Sequence, residues 1–315
     1  MTTQTLVSID DIAAAARRVK DVARLTPLIP VAPGLFLKCE NMQPMGAFKM
    51  RGACNMVAQL EPAARARGVI TYSSGNHGQA VALAAQLHGA PAVIVMPETA
   101  PAVKVQGARG YGAEVVFAGR TSNDRKAKAE EMAAARGLAM VPPFDHEWII
   151  AGQGTVGLEI VEQCPEVAEV YVPVGGGGLI AGVATAIKRT RPDVRVVGVE
   201  PAGAAKMSTS LRAGHPVSLD RTASIADGLL TLRPGDLTFA HAQAFVDEVI
   251  TVTDDQIAAA VGWLFRTAKI VAEPSGAAAT AGVLSRGAPS RATVAVVSGG
   301  NVAPGDFAKY IAQPA

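Results

Sequence analysis

The stretch "GVITYSSGNHGQAVALAAQLHG", residues 68–89, decides the fold class. It opens on a short apolar run without alternation, which reads as a strand buried on both faces. Ser73, Ser74, Gly75, Asn76 and His77 interrupt it. Small and apolar residues then continue to Gly89, which reads as a helix stopped by glycine. A buried strand, a polar turn and a helix make half of a βαβ unit.

The same alternation extends outward. "AVIVMP", "AEVVFAG" and "LAMVPP" are further strands, and "APAVKVQGARGYG" and "SNDRKAKAEEMAAARG" are the helices between them. A second run starts near residue 150, with strands in "AEVYVPVGGGG", "VRVVGVEP" and "ATVAVVSGGN" and a helix in "LIAGVATAIKRT". Upstream, Ser8 and Asp11 form a capping box before Ile12, Ala16, Val19 and Ala23, "RLTPLIP" ends that helix, and "GLFLKCEN" is a strand running toward Lys49. Residues 203–247 read as loop, followed by helices at 254–268 and 275–285. The expectation is an α/β chain with two lobes and a ligand cleft between them. Residues 1–67 with 145–315 form the large lobe and 68–144 the small one.

Composition excludes other classes. Of 315 residues, 49% are hydrophobic and 18% charged, and the net charge is +2 without a dense basic run. That is neither a disordered chain nor a nucleic-acid binder. The apolar runs are too short and too interrupted to span a membrane, and the N-terminus has no signal-peptide pattern. Cys39, Cys54 and Cys164 show no metal-ligand spacing and read as reduced thiols of a cytoplasmic protein.

Four stretches carry candidate chemistry. In "VPVGGGGLIAG", Gly175, Gly176, Gly177 and Gly178 join a strand to a helix. Their N–H groups can converge on an anion, and phosphate is the natural one. One or two glycines would suffice for a plain turn. "SSGNHG" gathers hydroxyls, an amide and an imidazole at a helix start, which suits a carboxylate, although a simple N-cap would look the same. "VVSGGN", residues 296–301, reads alone as a turn after a buried strand. Lys49, in "GAFKMRGACN", reads alone as a solvated lysine, while its neighbours Ala47 and Phe48 would lower an amine's pKa.

Together these stretches resemble the pyridoxal-phosphate (PLP) enzymes of fold type II, the tryptophan synthase β-like fold, in the threonine/serine dehydratase and serine racemase branch. "SIADGL" (224–229) and "EPSGA" (273–277) match as well, and all six motifs stand in the family's order. The resemblance implies parallel-rich sheets flanked by helices, with PLP in the cleft between the lobes. Lys49 would carry the cofactor aldehyde as a Schiff base, with Phe48 beside it. Gly175 to Gly178 and Leu179 would hold the phosphate, Asn76 the phenolic oxygen and Ser298 the pyridine nitrogen. Gly228 and Glu273 would line the rest of the ring. Ser73, Ser74, Asn76, His77 and Thr231 would receive the substrate, and Ser74 would face the cofactor opposite Lys49.

The implied reaction is β-elimination of water and ammonia from L-threonine or L-serine by a homodimer. A neutral Ser298 at the ring nitrogen argues against transamination, and His77, where sulfhydrylase-type relatives carry Thr, points to the dehydratase branch. Racemisation of serine, or dehydration of 3-hydroxyaspartate (with Arg120 or Arg125 as the extra cation) or phenylserine, are the alternatives. The chain departs from the family at three places. Met45 and Ala47 replace hydroxyl residues of the lysine loop. In "GVEPAGAAKMS", Glu200 and Ala204 match the family's divalent-cation site, but Lys206 stands where the Asp would be, so no metal is expected. The chain also ends soon after the last motif, so no isoleucine feedback domain is expected.

Overall fold

The computed structural model describes residues 5–73, 75–100 and 102–312. Its strands are β1 (Leu28–Ala32), β2 (Leu35–Lys38), β3 (Val69–Tyr72), β4 (Ala92–Met96), β5 (Glu114–Phe117), β6 (Ala139–Met140), β7 (Glu169–Pro173), β8 (Arg195–Pro201), β9 (Glu248–Val252) and β10 (Thr293–Val296). They form a four-stranded sheet, β5-β4-β3-β6, and a six-stranded sheet, β1-β2-β10-β7-β8-β9. Every pairing is parallel except β1 with β2. Helices cover the sheets, and β4 and β10 are buried along their whole length, as parallel strands between helix layers must be.

The opening stretch folds as its pattern dictates. Val69–Tyr72 is β3, and the helix that follows runs Asn76–Leu87. The Ser8/Asp11 capping box is present ahead of the helix Ile9–Val19.

Several elements differ from expectation. Residues 203–247 hold two helices, Lys206–Ala213 and Asp236–Phe245. Both are short and rich in small or polar residues, so packing rather than periodicity makes them helical. Glu147–Gln163 is a long helix with no amphipathic stripe, because Ile149 to Gly157 are buried all round. Gly152 lets it cross the helix Lys49–Gln59 closely, since a Cβ there would lie 2.6 Å from the Cα of Gly52. "RLTPLIP" supplies β1 as well as ending the first helix. The stretch at 254–268 is α-helical only to Trp263 and closes with a π turn, Leu264–Ala268. Among the described residues, no helix is long and apolar enough to cross a membrane.

Candidate active site

Lys49 is the first residue of the helix Lys49–Gln59, and the segment before it is pinned to the end of β10. Ala47 makes an isolated antiparallel bridge with Gly299, and the Phe48 amide donates to the Ser298 carbonyl at 3.1 Å. The lysine loop and "SGGN", about 250 residues apart in sequence, are therefore one structural unit. The Lys49 Nζ donates to the Pro143 carbonyl at 2.6 Å and lies 5.2 Å from the centre of the Phe48 ring. Among the described residues no carboxylate pairs with it. Burial alone pulls its pKa down from 10.5 to about 8. Lys38 and Lys206, the two lysines with no exposed surface, each have a glutamate, at 2.5 and 3.1 Å. Lys49 is thus the enclosed amine that is held without a counter-ion, which keeps its neutral, nucleophilic form accessible.

Asn76 opens the helix Asn76–Leu87 and is fixed at both ends of its amide. Nδ2 donates to Glu273 Oε1 at 2.5 Å, and Oδ1 accepts from Asn301 Nδ2 at 2.8 Å. Asn301 also donates to the Met45 carbonyl at 2.9 Å, which ties this network to the lysine loop. Glu273, 7% exposed, has its pKa pushed up to about 7 by burial, with the Asn76 hydrogen bond opposing.

His77 is buried, and its Nε2 lies 3.0 Å from the Val141 carbonyl. A carbonyl only accepts, so Nε2 carries the hydrogen and Nδ1 presents a lone pair. Nδ1 has no partner among the described residues. Burial, helped by the nearby Lys49 charge, pulls the imidazole down to about 3, so it is neutral at working pH. An acceptor nitrogen cannot bind a carboxylate. The N–H groups in the first turn of this helix can.

The four glycines lead from β7 into the helix Gly178–Thr190. Gly177 has φ +99°, and a Cβ there would meet Thr238 Oγ1 at 2.8 Å and Met207 Cε at 2.9 Å. A Cβ on Gly176 would collide with the Phe144 ring. A Cβ on Gly175 would stand 3.1 Å from the Gly228 carbonyl, so the glycine loop and "SIADGL" touch. The Gly228 amide in turn donates to Ser275 Oγ at 2.9 Å, within "EPSGA".

A family model described as pyridoxal-phosphate-dependent enzyme matches residues 19–300. The chain belongs to the pyridoxal-phosphate-dependent enzymes. It is 42% identical to a biosynthetic L-threonine dehydratase of Pasteurella multocida over 92% of this chain, and spans 59% of that protein's length. It is also 42% identical to an L-threonine ammonia-lyase of Thermotoga maritima, over 94% of this chain and 76% of the relative. The structure of maize serine racemase superposes with a TM-score of 0.93 at 38% identity and covers 97% of both chains. The fold is therefore the two-lobed PLP fold type II.

This PLP enzyme has residues that fit its cofactor. The glycine loop is a backbone cradle where a Cβ on Gly176, Gly177 or Gly178 would strike Phe144 or Thr238, and the helix behind it turns its free N–H groups toward the loop. An enclosed amine, a fixed amide and Ser298, 4% exposed, converge from the other motifs. Contacts thus join Phe48, Lys49 and Ser298; Asn76 and Glu273; and Gly175 with Gly228. Leu179 is buried behind the loop. Ser73 Oγ accepts from the Gly75 amide at 3.3 Å, a local turn contact. Thr231 has a buried Oγ1 with no hydrogen-bond partner among the described residues. Ser74 lies outside the described residues.

The strand expected over "LAMVPP" ends at Met140, and the segment that follows, "VPPFDH", residues 141–146, was given no part in the site. It supplies the Val141 carbonyl to His77, the Pro143 carbonyl to Lys49 and the Phe144 ring under the glycines. Asp145 accepts from the Asp236 and Thr238 amides, both at 3.0 Å, and Thr238 Oγ1 donates to the Gly176 carbonyl at 2.7 Å. Val141 and Pro143 act through backbone carbonyls, for which side-chain identity gives no signal, whereas Phe144 and Asp145 act through their side chains. The paired prolines were the only cue.

Proposed function

We propose that this enzyme eliminates water from L-threonine and L-serine to give an enamine, whose hydrolysis restores the water, releases ammonia and leaves 2-oxobutanoate and pyruvate. The enclosed Lys49 amine without a counter-ion, set among the glycine loop, Asn76 and Ser298, carries the reading. The names of the relatives support threonine as substrate. Residues 68–144 make the small lobe in this reading, and 1–67 with 145–315 the large one.

Bound PLP supplies an electron sink for the Cα electrons of an amino acid. Gly175 to Gly178 and Leu179 would hold its phosphate, Asn76 would bind its phenolic oxygen, and Ser298 would partner its ring nitrogen. Phe48, Gly228 and Glu273 would border the ring. The substrate carboxylate is received by Ser73, Ser74 and the first-turn N–H groups of Asn76 and His77, while the His77 imidazole stays neutral. Thr231 offers its unpartnered hydroxyl to the same substrate. Lys49 would give up its bond to the cofactor aldehyde to the substrate amine, and its freed Nζ would take the Cα proton and could return it to the departing β-hydroxyl, which would leave as water. Ser298 would be a neutral partner for the ring nitrogen, which would favour elimination over transamination. Water then converts the released enamine to the 2-oxo acid and ammonia.

A homodimer working in the cytoplasm completes the proposal. Cys39, Cys54 and Cys164 are free, and burial pushes their thiols up to about 12, 12 and 11, which keeps them inert. The likeness to maize serine racemase favours serine racemisation as the second reading. A 2-oxo acid assay over both enantiomers of threonine, serine, 3-hydroxyaspartate and phenylserine tests the first, and chiral analysis of the serine reaction tests the second. Turnover only of 3-hydroxyaspartate or phenylserine, or none at all, would reject the proposed substrate.

A further inference from the structure

Lys206 is one of the largest side chains with no exposed surface, and its amine is not used by the proposed chemistry. Its Nζ lies 2.9 Å from the Val174 carbonyl, 3.0 Å from those of Ala204 and Leu229, and 3.1 Å from Glu200 Oε1. Three carbonyl acceptors need three N–H donors. A neutral amine has two, so the cage holds the ammonium. Burial pulls the amine's pKa down, and Glu200 opposes that. Glu200, itself fully buried, also accepts from the Met207 and Ser208 amides at 2.8 and 2.9 Å.

An ion pair alone would need only the carboxylate. Here the carbonyls come from segments that border the site. Val174 immediately precedes Gly175, and Leu229 immediately follows Gly228. A Cβ on Gly175 would meet both the Gly228 carbonyl, at 3.1 Å, and Leu229 Cα, at 3.5 Å. Lys206 thus ties the phosphate loop and the ring-edge segment together from behind, and its neighbour Met207 packs against the bend at Gly177. Carbonyl oxygens with one carboxylate are the donor set of a hard divalent cation.

We infer that Lys206 is a tethered cation: its ammonium positions the glycine loop and the Gly228 segment, so that this chain needs no divalent ion to shape its cofactor pocket. The inference rests on the PLP reading above, but the cage can be tested apart from it. Lys206 is a positioning residue and touches neither substrate nor cofactor.

The experiment compares the full-length wild type with Lys206→Asp and Lys206→Met, each dialysed against EDTA and then given CaCl2 or MgCl2. Two quantities are read: the melting temperature of the PLP-free protein, and the dissociation constant for PLP. Lys206→Asp leaves two buried carboxylates among three carbonyls. It should melt below wild type in EDTA and recover when Ca2+ or Mg2+ is added. Its PLP affinity should fall at least tenfold in EDTA and be restored by the same ion. Lys206→Met should lose affinity without rescue, and wild type should be indifferent to both. Wild type that loses PLP in EDTA and regains it with Mg2+ overturns the inference. So does Lys206→Met with unchanged PLP affinity, or Lys206→Asp that neither ion stabilises. If Lys206→Asp does not fold, the wild-type and Lys206→Met arms still decide. A wild type that never binds PLP defeats the functional reading, and the metal-dependent melting of Lys206→Asp still judges the cage.

Discussion

Replacing Arg51 with Met should destabilise the whole protein, in a way that changes with pH. Arg51 is 1% exposed and stands two residues after Lys49 on the same helix. Its Nε and Nη2 donate to the two oxygens of Glu40, at 2.7 and 2.8 Å, and Nη1 donates to Glu159 at 2.6 Å. Glu40 has no exposed surface. Lys38, bonded to Glu159, completes a buried network of two cations and two anions. Removing one partner of such a pair costs about 3–5 kcal/mol, because the other charge stays buried. With an unfolding entropy of roughly 2.1 cal/mol/K per residue over 315 residues, a loss of about 4 kcal/mol lowers the melting temperature by about 6 °C.

The sign with pH follows from Glu40. In the wild type, burial raises its pKa, but Arg51, Lys38 and Thr26 together hold it below the ordinary 4.5. Its stabilisation is therefore fully present above pH 4.5 and is lost only as pH falls below that. Without Arg51 the burial effect prevails, Glu40 takes up a proton more easily, and the variant gains stability on acidification while the wild type does not. Calorimetry at pH 7, 6 and 5 should show a gap of about 6 °C that narrows toward pH 5. A drop below about 1 °C, or a gap that stays constant with pH, would refute this reasoning.

Two further predictions concern titration in the site. Lys49, with a pKa of about 8, should capture PLP at a rate that rises about tenfold per pH unit below pH 8 and levels above it. A rate still climbing toward pH 10 would mean a solvated amine. Glu273 has its folded pKa raised to about 7, so its contribution to stability falls between the ordinary 4.5 and 7 and stays low above. The PLP-free wild type should lose roughly 3 kcal/mol over that window relative to Glu273→Gln; parallel melting curves across pH 5–8 would contradict it.

Much of the fold was legible because its strands are buried parallel strands. β3, β4, β7, β8 and β10 are apolar runs bounded by glycine or polar turns, a local pattern. The helix Glu147–Gln163 was not legible because it is buried all round, and the helices of 203–247 were not because they are short. In the site, Lys49, Asn76, Ser298 and the glycines were readable through their motifs. What no motif conveys is a contact made by backbone atoms from elsewhere. The Pro143 carbonyl on Lys49, the Val141 carbonyl that sets the His77 tautomer, and the carbonyls around Lys206 are all of this kind. Arg51 lay inside the lysine motif, yet its role rests on Glu40 and on Glu159, which is 108 residues away.

The central claim is that Lys49 carries PLP. Borohydride reduction of the PLP-loaded enzyme, followed by proteolysis and peptide mass spectrometry, tests it most directly. One phosphopyridoxyl group on Lys49 is the predicted result, with Lys38 and Lys206 unlabelled because their amines are locked in ion pairs. Label on Lys38 or Lys206, or no fixed label at all, would contradict the account.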